Sequence, residues 1–155
     1  MTTPKPLLAV VIAIAAFASF TTTASAANFC VGVSPNCTNS PAPPYAQSSG
    51  GINAAISAAA SAPGNDVVHI AAGSYGINAG TFPTLPSSAD DLAIVGAGVG
   101  QTIFSSTIAS GPLIDLQLGK LTDSLSGFTL NATFTGNYAT GISVYRGRVS
   151  NFAIN

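Results

Sequence analysis

The chain has 155 residues, room for one domain, and carries four basic against five acidic side chains, a formal net charge of −1. Charged residues make up only 6% of it, every acidic residue is Asp and none is Glu, which argues against a helical fold whose exposed faces would need Glu and Lys. So few scattered cations exclude the basic stripe of a nucleic-acid binder, and two Cys with one His are too few for a metal site.

Residues 1–26 read as a secretory signal. Lys5 supplies a basic start, Leu7 to Phe20 form an apolar stretch, and Ala24-Ser25-Ala26 is a small-residue cleavage site. The apolar stretch is too short to span a bilayer core of about 30 Å, and no stop-transfer charges come after it. The mature chain would hold three cations against five Asp, no transmembrane span, and a secreted or cell-surface address.

Residues 27–49 are rich in Pro, Asn and Ser and show no apolar period, so they are expected to form an irregular leader. Cys30 and Cys37 lie within it. In an exported chain the ordinary reading is a disulfide closing a small loop. A redox pair would more often show C-x-x-C spacing, and His69 is far away in sequence.

The unit from residue 50 to 155 opens with Gly50-Gly51. Ile52, Ala55, Ile56, Ala59 and Ala60 then share one helical face up to Pro63-Gly64, predicting a short amphipathic helix that caps the open end of a solenoid. From Val67 the period becomes alternating. Short strands are predicted at 67–70, 92–95, 102–104, 113–118, 125–130, 142–145 and 149–154. Alternation turns Ile114, Leu116 and Leu118 inward and Asp115 and Gln117 outward, and it buries Ile142 and Val144.

Phe128-Thr129-Leu130-Asn131 matches Phe152-Ala153-Ile154-Asn155 at a constant offset of 24 residues. Such a period marks a solenoid whose coils bury their apolar faces on one another. Residues 67–155 then make about four coils of roughly 22 residues each. Aligning 116–131 with 142–155 places Lys120 at the position of Arg146. Because the repeat is still running at Asn155, the coils are expected to be the first of a longer protein.

On the helix 51–62, on Val67-Val68-His69-Ile70-Ala71-Ala72-Gly73-Ser74-Tyr75, on Leu92 to Ile103 and on Ser126-Gly127-Phe128-Thr129-Leu130-Asn131, the chain resembles the right-handed parallel β-helix proteins of the pectin-lyase-like superfamily. The resemblance implies an all-β right-handed solenoid with an Asn ladder at one turn, a role that Asn131 and Asn155 fit. The physics agrees, since Asn tolerates left-handed backbone and its amide can bond along the stack. It also implies that enzymes of this type would bind acidic polysaccharide with basic residues in an outward groove.

Gly96-Ala97-Gly98-Val99-Gly100 after a strand imitates a dinucleotide fingerprint. Gln101 stands where the last small residue belongs, and a β-branched strand comes next where a helix should, so the glycines read as a tight coil turn and no cofactor is expected. Asp90-Asp91 reads as a solvated turn, and Asp115 has no identifiable carboxylate partner for acid–base work. Asp115, Gln117, Tyr145 and Arg146 are the residues offered for ligand binding: Arg for bidentate carboxylate contact, Tyr for stacking on a sugar ring. His69 reads as structural. The sequons Asn36-Cys37-Thr38 and Asn131-Ala132-Thr133 would matter only in a glycosylating host. The resulting expectation is a secreted, non-catalytic, adhesin-like or structural scaffold that contacts polysaccharide or cell-surface material. The alternative is a polysaccharide lyase or hydrolase whose catalytic coils lie downstream.

Overall fold

Runs of Val, Ile, Leu and Phe no longer than a few residues, each broken by Gly, Asn or Asp, cannot bury themselves alone and stack on their own repeats. The computed structural model describes residues 25–35, 37, 40–85 and 91–155, and there the chain winds as a parallel β-solenoid of about three turns with one short helix. The expected signal segment lies outside the described residues except for Ser25 and Ala26, as do Asn36 and Asp90.

Its elements are β1 (Asn28–Val31), α1 (Ser49–Ser61), β2 (Asp66–Ile70), β3 (Gly73–Gly76), β4 (Leu92–Gly96), β5 (Thr102–Gln117), β6 (Ser124–Arg146) and β7 (Arg148–Ile154). Every ladder is parallel. One face runs β1-β2-β4-β6-β7, and a second runs β3-β5-β6-β7. The distal halves of β5 and β6 make a third, from Ile114 beside Ile142 to Gln117 beside Arg146. Strands predicted as separate at 125–130 and 142–145 are one long β6, because the chain stays extended through 131–141. These longer excursions leave about three turns in place of the expected four.

Parallel registry puts like residues over like, and burial grades along each column. Phe29, Val68, Ile94 and Leu125 are buried one above another, with Val149 packed against them at the end. Tyr75 and Phe104 meet edge-on at 6.1 Å, Phe104 and Phe128 lie 5.2 Å apart, and Phe128 and Phe152 stack at 5.6 Å and 13°. Phe82 closes on Phe104 at 5.7 Å. The last coil is different. Phe152 is 40% exposed and Ile154 53%, whereas their neighbours Phe128 and Leu130 are fully buried. Val144, expected inside, is 45% exposed for the same reason, and Ile142 is only half-buried.

The corners are held by polar side chains. Buried Asp66 accepts from the Ala27 amide at 2.7 Å, and buried Asp123 accepts from the Leu92 amide at 2.8 Å. In both cases the amide belongs to the residue alongside in the preceding coil. Asp123 also accepts from the Lys120 amide at 2.8 Å, tightening its own turn. At another corner Gly127 adopts φ 74° and Asn151, one repeat later, φ 49°, the left-handed region these two residue types tolerate best. Asn155 Nδ2 donates to Asn131 Oδ1 at 3.0 Å, forming a rung of an amide ladder along the stack. At Gly96 the glycine-rich segment passes so close to the next coil that a side chain there would collide with the Gly127 carbonyl.

Two readings of the sequence change at the start of the domain. The 27–49 segment is not wholly irregular: Phe29, Cys30 and Val31 are buried in β1 beside β2, and the Cys30–Cys37 disulfide hangs from that strand. The apolar triplet before the Pro-rich stretch was signal enough for one strand. The helix starts slightly earlier than its apolar face, since Ser48 Oγ accepts from the Gly51 amide at 3.1 Å as N-cap. Ile52 and Ile56 are fully buried where α1 packs on β1 and β2, each contributing about 1.5–3 kcal/mol. Ala60, placed on that face, is only half-buried.

The burial gradient has a measurable consequence. In urea unfolding, Phe128→Ala should lose about 3–5 kcal/mol, the usual cost of emptying a packed aromatic site. Phe152→Ala should lose only about 1 kcal/mol. Equal losses would contradict an open last coil.

Candidate functional site

On the third face, alternation leaves Asp115 and Gln117 outside while Ile114, Leu116 and Leu118 fill the interior. After an earlier shift between Ile108 and Ser110, pairing to β6 runs regularly from Ser110 beside Tyr138 to Leu116 beside Val144, and then slips again: Gln117 lies beside Arg146. The extra residue in this β-bulge is Tyr145. A bulge strengthens the local twist and re-aims a side chain, and Tyr145 is accordingly 74% exposed. The Arg146 guanidinium lies 5.6 Å from the centre of its ring, within cation–π reach. Arg146 Nη1 also donates to the Gly119 carbonyl at 3.4 Å. Gln117 Nε2 donates to Asp115 Oδ2 at 2.8 Å, and Thr84 Oγ1 donates to Gln117 Oε1 at 3.5 Å. Asp115, Gln117, Tyr145 and Arg146 therefore fall on one patch of two adjacent strands, built as an aromatic–guanidinium plate beside an amide–carboxylate pair.

Lys120 does not belong to it. The alignment that matched Lys120 with Arg146 fails on this face: Leu116 sits beside Val144 and not beside Ile142, and past the bulge Arg146 sits beside Gln117, three residues before Lys120. Lys120 Nζ instead pairs with Asp91 at 3.3 Å across a neighbouring corner, and Arg148 stands beside Ser124. The hydrogen bond from Thr122 Oγ1 to Asp91, together with Lys120, holds the Asp91 carboxyl below its ordinary value.

The other described carboxylates are also engaged. Asp66 and Asp123 accept backbone amides, and Asp115 accepts Gln117. His69 lies on the outward side of β2 with Nε2 3.2 Å from Asn28 Oδ1, and burial pushes its pKa down. Gly98 and Gly100 adopt positive φ, the Gly98 amide donates to the Gly127 carbonyl at 3.0 Å, and Thr102 Oγ1 accepts from the Ala97 amide at 2.8 Å. Those glycine amides serve the coil corner and do not form a phosphate cradle.

Sequence reasoning missed a second polar surface. Ser105, Thr107, Asn131, Thr133 and Asn155 line an open trough of about 400 Å³ beside the amide ladder. Its signal was the pairing of Ser105 with Asn131 and Thr107 with Thr133, which appears only once the register between β5 and β6 is known. Among the described residues, no helix is long and apolar enough to cross a membrane, and no group of three or more His, Cys, Asp or Glu could hold a metal ion. No protein-family model matches this chain, and neither does any curated protein or solved structure.

Two measurements check the division between scaffold and patch. Tyr145→Ala and Arg146→Ala should shift thermal stability by no more than about 0.5 kcal/mol, as exposed positions do. Asp123→Ala, which orphans the Leu92 amide, should cost about 1–3 kcal/mol in the same assay. The second measurement concerns His69. Its folded pKa lies below the unfolded value of 6.5, so the unfolded chain takes up the proton first as pH falls. Stability should therefore decline through this group as pH falls through and below about 6.5, and His69→Gln should flatten that part of the profile.

Proposed function

We propose that this chain is an exported, non-catalytic β-solenoid scaffold that contacts polysaccharide or cell-surface material through the Asp115–Gln117–Tyr145–Arg146 patch. The observation that carries the reading is the bulge at Tyr145, which sets an exposed ring and a guanidinium beside hydrogen-bonding groups on a rigid sheet. A ring face suits the apolar face of a pyranose, Arg suits a uronate carboxylate, and Gln117 offers an amide for hydroxyl groups. Export is supported by the signal-like residues 1–26 and by the Cys30–Cys37 disulfide, which an oxidising compartment preserves. The resemblance to pectin-lyase-like β-helices supports an acidic polysaccharide as the first ligand to try.

Non-catalytic behaviour is supported by the engagement of Asp66, Asp91, Asp115 and Asp123, each committed to a hydrogen bond inside the protein. Glycosidic cleavage needs two carboxylates flanking one bond, and the patch holds one. Affinity electrophoresis through gels containing polygalacturonate or a neutral glucan tests this. The expected result is retardation by the acidic polymer that weakens about tenfold in Tyr145→Ala and in Arg146→Ala, with no unsaturated or reducing-end product released. Product release would replace the reading with the enzymatic one, and retardation indifferent to both substitutions would move the contact elsewhere.

A further inference from the structure

The patch at the β5–β6 bulge carries two opposite charges that do not neutralise each other. Arg146 lies beside Gln117, and Asp115 lies two positions back along β5, beside Ser143. On a pleated surface such a diagonal separates the two backbones by about 7–8 Å, a gap that long side chains can close. These two turn elsewhere. Arg146 Nη1 donates to the Gly119 carbonyl at 3.4 Å, and the guanidinium lies over the Tyr145 ring. Lys120 is committed to Asp91 at 3.3 Å, so among the described residues no cation pairs with Asp115.

Gln117 fixes that carboxylate in place. The Leu85 amide donates to the Gln117 carbonyl at 3.0 Å, and Thr84 Oγ1 donates to Gln117 Oε1 at 3.5 Å. The side-chain amide is thereby oriented with Nε2 toward Asp115 Oδ2, 2.8 Å away. A surface built only to attract polyanions would gain nothing from a carboxylate here, because it opposes the pull of Arg146 on any anion. It does discriminate between anions. With one uronate carboxylate on Arg146, the neighbouring sugar falls over Asp115 and the half-buried Ser143. A second uronate there meets a like charge, whereas a hydroxyl or an N-acyl N–H meets an ionic acceptor, the stronger kind of hydrogen bond.

We propose, resting on the polysaccharide-binding reading of this patch, that Asp115 is its specificity-determining residue. It selects acidic polysaccharides in which each uronate is followed by a neutral sugar carrying hydroxyl or N-acyl donors, and it rejects runs of consecutive uronates. Arg146 takes the carboxylate, the Tyr145 ring takes a pyranose face, and Asp115 takes the donors of the neutral neighbour. The unfavourable element, a like charge set against the wrong polymer, supplies the selectivity.

The test is affinity electrophoresis of the whole chain at low salt through two polymers at equal uronate concentration. In hyaluronate each uronate alternates with an N-acetylated amino sugar, and in polygalacturonate the uronates are consecutive. Because the polymers differ in charge density, the ratio of the two affinities is compared between the unsubstituted chain and its variants. Asp115→Asn removes the charge but keeps an oxygen for Gln117 Nε2, and it should shift that ratio at least about threefold toward polygalacturonate. Asp115→Ser should do the same, and Asp115→Glu, which returns the charge, should restore the original preference. Melting curves matching the unsubstituted chain show that each variant is folded. Retardation by both polymers with a ratio that ignores the charge at position 115 overturns this proposal and leaves the binding patch standing. A preference that Asp115→Glu loses as fully as Asp115→Asn also overturns it, since charge would then not be the cause. Retardation by neither polymer overturns the proposal and the patch reading together.

Discussion

Parallel stacking of one strand directly on another governs every other choice in this molecule. Neighbouring strands lie about 4.8 Å apart, so whatever a coil places at one position must be compatible with itself one step along. Apolar columns satisfy this readily, as Phe128 and Phe152 do by stacking and as Tyr75, Phe104, Leu130 and Ile154 do in the column beside them. Charge does not, because a column of like charges would repel at every step. That explains how a chain with only 6% charged residues can still build a specific fold.

The few charges it has are placed where the stack turns. Asp66 and Asp123 are buried, which is costly for a carboxylate unless backbone donors surround it. Each accepts an amide at a strand start that the ladder would otherwise leave without a partner. Leu92 lies between them in the column, so the two carboxylates are never on adjacent coils. Thr102 does comparable work at the next corner, reaching the Ile70 and Ala71 carbonyls at 3.3 and 3.1 Å.

Much of this was legible before any coordinates. The offset of 24 residues between 128–131 and 152–155 survives in the register, where Phe128 lies beside Phe152 and Leu130 beside Ile154. The inward set Ile114, Leu116 and Leu118 came from alternation alone. What failed was the count of coils and the pairing of Lys120 with Arg146. Both errors have one cause: coil length varies, and the difference is absorbed in extended segments such as 105–112 and 131–141, which look like turns when read for Gly, Ser and Thr. The bulge at Tyr145 was likewise invisible, because an extra residue in one strand leaves no mark until its partner is known. The four patch residues were nonetheless individually nameable, since outward polarity on an alternating strand is a local property.

That bulge also bears on valency. A solenoid ordinarily repeats any surface feature at every coil, turning a weak contact into an array. Here the slip between Leu116 and Gln117, the second register shift between β5 and β6 after the one between Ile108 and Ser110, breaks the translation, so the Tyr145–Arg146 plate has no copy above or below it among the described residues. On the proposed reading, the described residues would offer a long polymer one such plate and not a track, so holding it would depend on how densely the plate is displayed.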